Sequence, residues 1–164
     1  MGAETHRGKD RYEVILAGSG GQGVVLAAIM LAEAAILEGR TVVQTQSHGV
    51  ASRGGLSLAE VIVDRQEIIF QQVQEPDVIL ALTGAALQRY AARAAAGTPV
   101  LYDATLAQAA PVGHLTGCPF TKTAGELGSA GSVAIIGLGA LIAAIPVVKA
   151  ESLAAAIRQR FRGR

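Results

Sequence analysis

Two short segments carry groups suited to chemistry. The first is Gly18-Ser19-Gly20-Gly21-Gln22-Gly23, spaced G-x-G-x-x-G. Glycines at this spacing let the backbone approach a phosphate or carboxylate, and a helix starting there presents free N–H groups. A dinucleotide site would also need an Asp or Glu at the end of the next strand, to hold a ribose hydroxyl. That strand ends in Gln44, Thr45 and Gln46, and the nearest acid, Glu38, precedes it. A P-loop is excluded because no Gly-Lys-Ser/Thr follows. Two readings stay open: a tight turn packing a helix onto a strand, and a site for another phosphate or acid group across an interface.

The second segment is Ser47-His48-Gly49-Val50-Ala51-Ser52-Arg53-Gly54-Gly55. His48 can donate a hydrogen bond or exchange a proton. Arg53 can grip a carboxylate or phosphate with two parallel hydrogen bonds. Ser47 and Ser52 add hydroxyls. The same groups would equally serve to fold the loop onto itself or cap a helix. No G-x-S-x-G elbow accompanies the serines, which argues against a nucleophilic triad. His48, His114 and Cys118 lack metal-ligand spacing. Asp103, at a predicted strand end, reads either as a functional acid or as a cap for the next element.

These segments need elements to position them. Residues 12–17 read as a buried strand and 22–40 as a helix closed near Gly39. Residues 41–46 are β-branched and read as a second strand, with 47–55 as a loop. Residues 56–63 read as a strand that turns at Asp64-Arg65-Gln66 into a short antiparallel partner, 67–70. Strands are expected at 78–82, at 100–102 ending on Asp103, and just before Pro119. Helices are expected at 85–95, 124–127, 132–145 and 151–161; in the last, Leu153, Ile157 and Phe161 form one apolar stripe. This order predicts an α/β three-layer sandwich with a mostly parallel mixed sheet and an antiparallel hairpin. The second loop would then lie beside the first glycine segment, at the C-terminal edge of the sheet. One domain over 12–161 is expected, with a flexible basic tail at 1–11 and a short tail at 162–164.

Composition narrows the function. The chain has 164 residues, 51% hydrophobic and 16% charged, against about 25% charged in an ordinary soluble domain. Disorder is excluded, since so apolar a chain offsets its ordering entropy. Net charge is +1, but eight of the 14 basic residues sit at the two ends. Between Tyr12 and Val148, six basic residues face ten acidic ones. With no aromatics among the basic residues, nucleic acid is not an expected partner. Residues 1–13 are polar and show no secretory signal, so a cytoplasmic location is expected. The uncharged stretch 127–148 has the length of a membrane span, but its glycines and Pro146 favour a buried helix. The single Cys118 excludes an internal disulfide, and it excludes an iron–sulfur cluster or Cys-rich zinc site built by this chain alone.

The strings GSGGQGVVLAAIMLAEAA, TQSHGVASRGGLSLAEVIV, EPDVILALTGAALQRY and CPFTKTAGELGSAGSVAIIGLGALIAA resemble the gamma subunit of 2-oxoacid:ferredoxin oxidoreductases. Within that family the 2-oxoglutarate type is more similar than the pyruvate and ketoisovalerate types. The resemblance runs from about residue 12 to residue 161. It implies a three-layer α/β domain in a multisubunit enzyme. That enzyme converts a 2-oxoacid and coenzyme A to an acyl-CoA and carbon dioxide and passes electrons to ferredoxin. It implies thiamine diphosphate, magnesium and iron–sulfur clusters on alpha- and beta-type partners, with a ferredoxin-like delta subunit as a further candidate partner. This chain, with one cysteine and no GDG…N signature, is expected to bind none of these cofactors alone, to span no membrane and to be inactive in isolation. Gly18, Gly20, Gly21, Gln22, Gly23, Ser47, His48, Gly49, Ser52, Arg53 and Gly54 match family motif positions, and none is assigned a catalytic role. The two loops are expected to form an edge facing partner subunits near the substrate or coenzyme A channel. Arg53 is then the charge for an anionic group. A surface so poor in charge is also expected to self-associate without its partners.

Overall fold

The computed structural model describes residues 9–48, 55–108 and 114–162, without the side chain of His48. Tyr12–Ser19 forms strand β1. Its Tyr12, Val14 and Leu16 enter one core and Ile15 and Ala17 the other. A strand covered on both faces has no wet side, so its run from Val14 to Ala17 is apolar. Helix α1 (Val24–Leu37), β2 (Thr41–His48), β3 (Leu56–Asp64) and β4 (Val78–Ala81) follow. Then come α2 (Gly84–Ala95), β5 (Val100–Asp103), β6 (Leu115–Cys118) and α3 (Phe120–Glu126). A 3-10 turn (Ala130–Ser132), α4 (Val133–Ala144) and α5 (Ala150–Arg160) follow.

The six strands form one mixed sheet in the order β2-β3-β1-β4-β5-β6. Strands β1, β4, β5 and β6 pair in parallel. Strand β3 runs antiparallel to both neighbours, β1 and β2. Helices α1, α3, α4 and α5 contribute to the core on one face, and α2 covers the other with Ala86, Leu87, Tyr90 and Ala94. The result is a three-layer α/β sandwich.

The hairpin differs from its sequence-based assignment. Residues 67–70 form no strand, and β3 pairs with β2 instead. The reason is hydrogen-bonding capacity. Both edges of β3 are taken along nearly its whole length, by β1 on one side and β2 on the other. The expected turn does form, with Gln66 N donating to Asp64 Oδ1 at 3.1 Å. It leads into a loop that tucks in Ile68 and leaves Ile69 88% exposed. The buried Glu13 carboxylate pins the end of this loop by accepting from Gln74 N (3.3 Å) and Glu75 N (2.9 Å).

The uncharged late helix buries one face, while Gly139, Ala143 and Ala144 are exposed. In α4, Val133, Ala134, Leu138 and Leu141 lie in the core. Gly137 sits so close to β4 that a Cβ there would fall 2.8 Å from Leu80 Cδ2. Among the described residues, no helix is long and apolar enough to cross a membrane.

Candidate functional site

The first glycine segment leaves β1 at the C-terminal edge of the sheet, and its residues divide into two kinds. Gly18, Gln22 and Gly23 build the turn. A Cβ on Gly18 would lie 2.5 Å from Gln22 Oε1 and 2.9 Å from Val24 Cγ2. Gln22 folds back as a clamp. Its Oε1 accepts from Ser19 N at 2.8 Å, and its Nε2 donates to the Leu82 carbonyl at 3.2 Å. The side-chain amide thus ties the ends of β1 and β4 together. Gly23 has φ 84° and lies so near the next layer that a Cβ would meet the Gly131 carbonyl at 3.1 Å. Ala134 N, in the first turn of α4, donates to the Gln22 carbonyl at 3.2 Å. Gly20 and Gly21 are different: both are exposed, and neither has an atom within 4 Å of a built Cβ. The packing reading of the motif is therefore realised by Gly18, Gln22 and Gly23, while Gly20 and Gly21 stay open to the surface.

Strand register sets the start of the second segment, Ser47 and His48, on the same edge. His48 is opposite Ser57, and Ser57 is opposite Gly18. With strands about 4.8 Å apart, the His48 backbone lies about 10 Å from the glycine turn. Two expectations are corrected. Ser47 and His48 are the last residues of β2 and not part of a loop. The end of β2 also does not adjoin β1, because β3 lies between them. The cause is the antiparallel return, which gives β3 the place next to β1. This also counts against a dinucleotide site, whose ribose-binding acid would have to project from the strand beside β1. Gly49, Ser52, Arg53 and Gly54 lie outside the described residues.

Three helices begin at this edge. Val24 opens α1 directly after Gly23, Gly84 opens α2 just beyond β4, and Val133 opens α4 against Gln22. Each helix start carries a partial positive charge. Thr83 caps α2, its hydroxyl accepting from Ala86 N at 3.1 Å. The exposed hydroxyls of Ser129 and Ser132 lie 2.5 Å apart beside the start of α4. Residues 128–134, which roof the glycine turn, were not singled out from sequence. Their signal is the small-residue run Gly128-Ser129-Ala130-Gly131-Ser132 immediately before an apolar helix.

Asp103 resolves as a cap. It is 1% exposed. Its carboxylate accepts from Thr105 N at 3.0 Å, from Thr121 N at 3.2 Å and from the Thr121 hydroxyl. These bonds fix the turn after β5 and the first turn of α3. Among the described residues, no three His, Cys, Asp or Glu side chains gather to hold a metal ion. Cys118 is a half-buried free thiol ending β6.

An open groove of about 1370 Å³ lies at the opposite edge of the sheet. Among the charges on its walls, Lys9 pairs with Asp77, and Arg11 with Glu13 at 3.0 Å. The motif residues are absent from it, so the glycine edge is the better candidate site.

The pyruvate ferredoxin/flavodoxin oxidoreductase family matches residues 13–164. The chain is 40% identical over 148 residues to the 2-oxoglutarate synthase subunit KorC of Archaeoglobus fulgidus, covering 90% of this chain and 77% of that one. Among solved structures, the keto/oxoacid ferredoxin oxidoreductase gamma subunit of Geobacter sulfurreducens superposes with a TM-score of 0.76 at 35% identity. That match covers 91% of this chain and 86% of the other. A 2-oxoglutarate:ferredoxin oxidoreductase chain from Magnetococcus marinus shares the fold, with a TM-score of 0.81 at 22% identity. It covers 94% of this chain and 27% of that one.

Proposed function

The chain belongs to the pyruvate ferredoxin/flavodoxin oxidoreductase family. From that premise we propose that it is the gamma-type subunit of a 2-oxoacid:ferredoxin oxidoreductase acting on 2-oxoglutarate. The complex would convert the 2-oxoacid and coenzyme A to an acyl-CoA and carbon dioxide, with the electrons passing to ferredoxin. Identity of 37–40% to KorC subunits over most of the chain supports the choice of 2-oxoacid.

The residues here do not fit the cofactors such chemistry needs. One cysteine cannot ligate an iron–sulfur cluster, and the described residues gather no metal-binding set. In this reading thiamine diphosphate, magnesium and the clusters belong to alpha- and beta-type partners.

The contribution of this chain is its glycine edge. The observation that supports this reading is the register His48–Ser57–Gly18, which puts the end of β2 at the same edge of the sheet as the glycine turn. Three helix starts there favour an anion. Gly20 and Gly21 let a backbone or a phosphate come close. In this reading the edge faces the partner subunits beside the coenzyme A channel, and Arg53 supplies the cation for a phosphate or carboxylate.

The test is Arg53→Ala in the reconstituted complex. Assembly should persist by size exclusion, while KM for coenzyme A rises or turnover falls by about tenfold or more, the scale of one lost charge-assisted hydrogen bond. Unchanged steady-state kinetics in an intact complex would reject the role.

A further inference from the structure

The two edges of the sheet are built differently. Strand β6 at one end has four residues, one of them Gly117. Short edge strands are poor templates for further pairing. Strand β2 at the other end has eight residues, Thr-Val-Val-Gln-Thr-Gln-Ser-His. It pairs with β3 at every position without a bulge. It contains no Lys, Arg, Asp, Glu or Pro, the residues that natural edge strands use to discourage pairing. Among the described residues, no strand pairs with its outer side. Thr45, Gln46 and Ser47 are exposed.

We infer that the outer edge of β2 pairs antiparallel with β2 of a second copy of this chain, about a two-fold axis perpendicular to the sheet. The strand suits itself. Opposed residues must come from the same face, so the axis passes at Gln44 or at Thr45. In the first register Val43 faces Thr45, and Val42 faces Gln46. In the second Gln44 faces Gln46, and Val43 faces Ser47. Neither opposes like charges, because the strand has none. Two-fold closure consumes both edges and prevents open growth.

The same operation brings α1, which packs on β2, alongside its copy. Ile36 and Leu37 at the end of α1 are 61% and 54% exposed, large values for apolar residues on a core helix. They would add apolar burial to the main-chain pairing. Antiparallel joining sends the two glycine edges to opposite ends of one continuous sheet, so both stay free. The inference therefore stands independently of the proposed function.

Light scattering after size exclusion on the full chain tests it. The wild type should run at twice the 16.7 kDa chain mass at micromolar concentration. Thr45→Lys and Gln46→Lys should each return it to one chain mass, because a lysine on an edge strand discourages further pairing. Thr116→Lys, on the exposed side of β6, should leave the dimer intact. Hydrogen exchange on the wild type gives a second readout that needs no variant. Amides in residues 41–47 should gain protection as concentration rises. A monomeric wild type, a dimer that survives both β2 lysines, or exchange independent of concentration would each overturn the inference. Protection of β2 gained only on adding partner subunits would also overturn it, and would assign the edge to a partner's strand.

Discussion

The two ends of the parallel strands are held together by different forces. At the N-terminal end the ties are charges. Lys9 meets Asp77, Arg11 meets Glu13 and Asp64, and Arg65 meets Asp10. At the C-terminal end the ties are close backbone approach and neutral hydrogen bonds, through Gly18, Gln22, Gly23 and Gly131. The buried Asp103 is the exception, and its carboxylate is used up on α3 and the adjoining turn. Among the described residues the glycine edge carries none of these ion pairs, and three helix starts contribute to its field. That is the better arrangement for meeting an anion or a neutral partner surface.

This contrast can be broken at chosen positions. Gly18→Val should cost the most, about 3 kcal/mol of unfolding free energy, because the added methyls have no room and displace Gln22. Gly20→Ala is its control. No atom lies within 4 Å of its built Cβ, so guanidinium melts should shift by less than about 0.5 kcal/mol. At the opposite end, Glu13→Ala should cost about 2 kcal/mol by stranding the amides of Gln74 and Glu75. Gln22→Ala should follow at about 1 kcal/mol, through loss of the bridge between β1 and β4. If Glu13→Ala exceeded Gly18→Val, the view that steric fit holds the glycine edge would fail.

The smallest effect is alkaline. The hydrogen bond to Asp77 raises the Lys9 pKa above its ordinary 10.5, although burial opposes it. The stability from that pair is complete below 10.5 and is lost as pH rises through the higher folded value. Burial likewise raises the Tyr90 pKa above 10.0, so above that pH the unfolded state gives up its proton first. Both effects lower stability in the same direction. The melting temperature should fall by a few degrees between about pH 9 and about pH 11. Lys9→Ala should remove only part of that fall, leaving the part due to Tyr90.

Much of the fold was legible because its signals are local. An apolar run marks β1, and Gly-Thr-Pro at 97–99 marks the break after α2. The partner of β3 was not legible. Residues 67–70 carry a plausible apolar pattern after a good turn, and that turn does form. Pairing is decided by which hydrogen-bonding edges are already taken, and β2, the strand just before β3, takes the edge left free by β1. The glycine motif was legible as a place but not as a division of labour. Only packing separates Gly18, which is hemmed in, from Gly20, which is open. Asp103 admitted two readings until Thr121 was placed beside it.

The central claim is that this chain works as a subunit, with its glycine edge turned toward partners that hold the cofactors. Affinity capture of the full chain from its native extract tests this most directly. The account predicts co-purification of a thiamine diphosphate-binding chain and a cysteine-rich chain. The captured material should reduce ferredoxin with 2-oxoglutarate and coenzyme A, and do so more slowly with pyruvate. Recovery of the chain without a thiamine-binding partner, and without 2-oxoacid-dependent ferredoxin reduction, would contradict it.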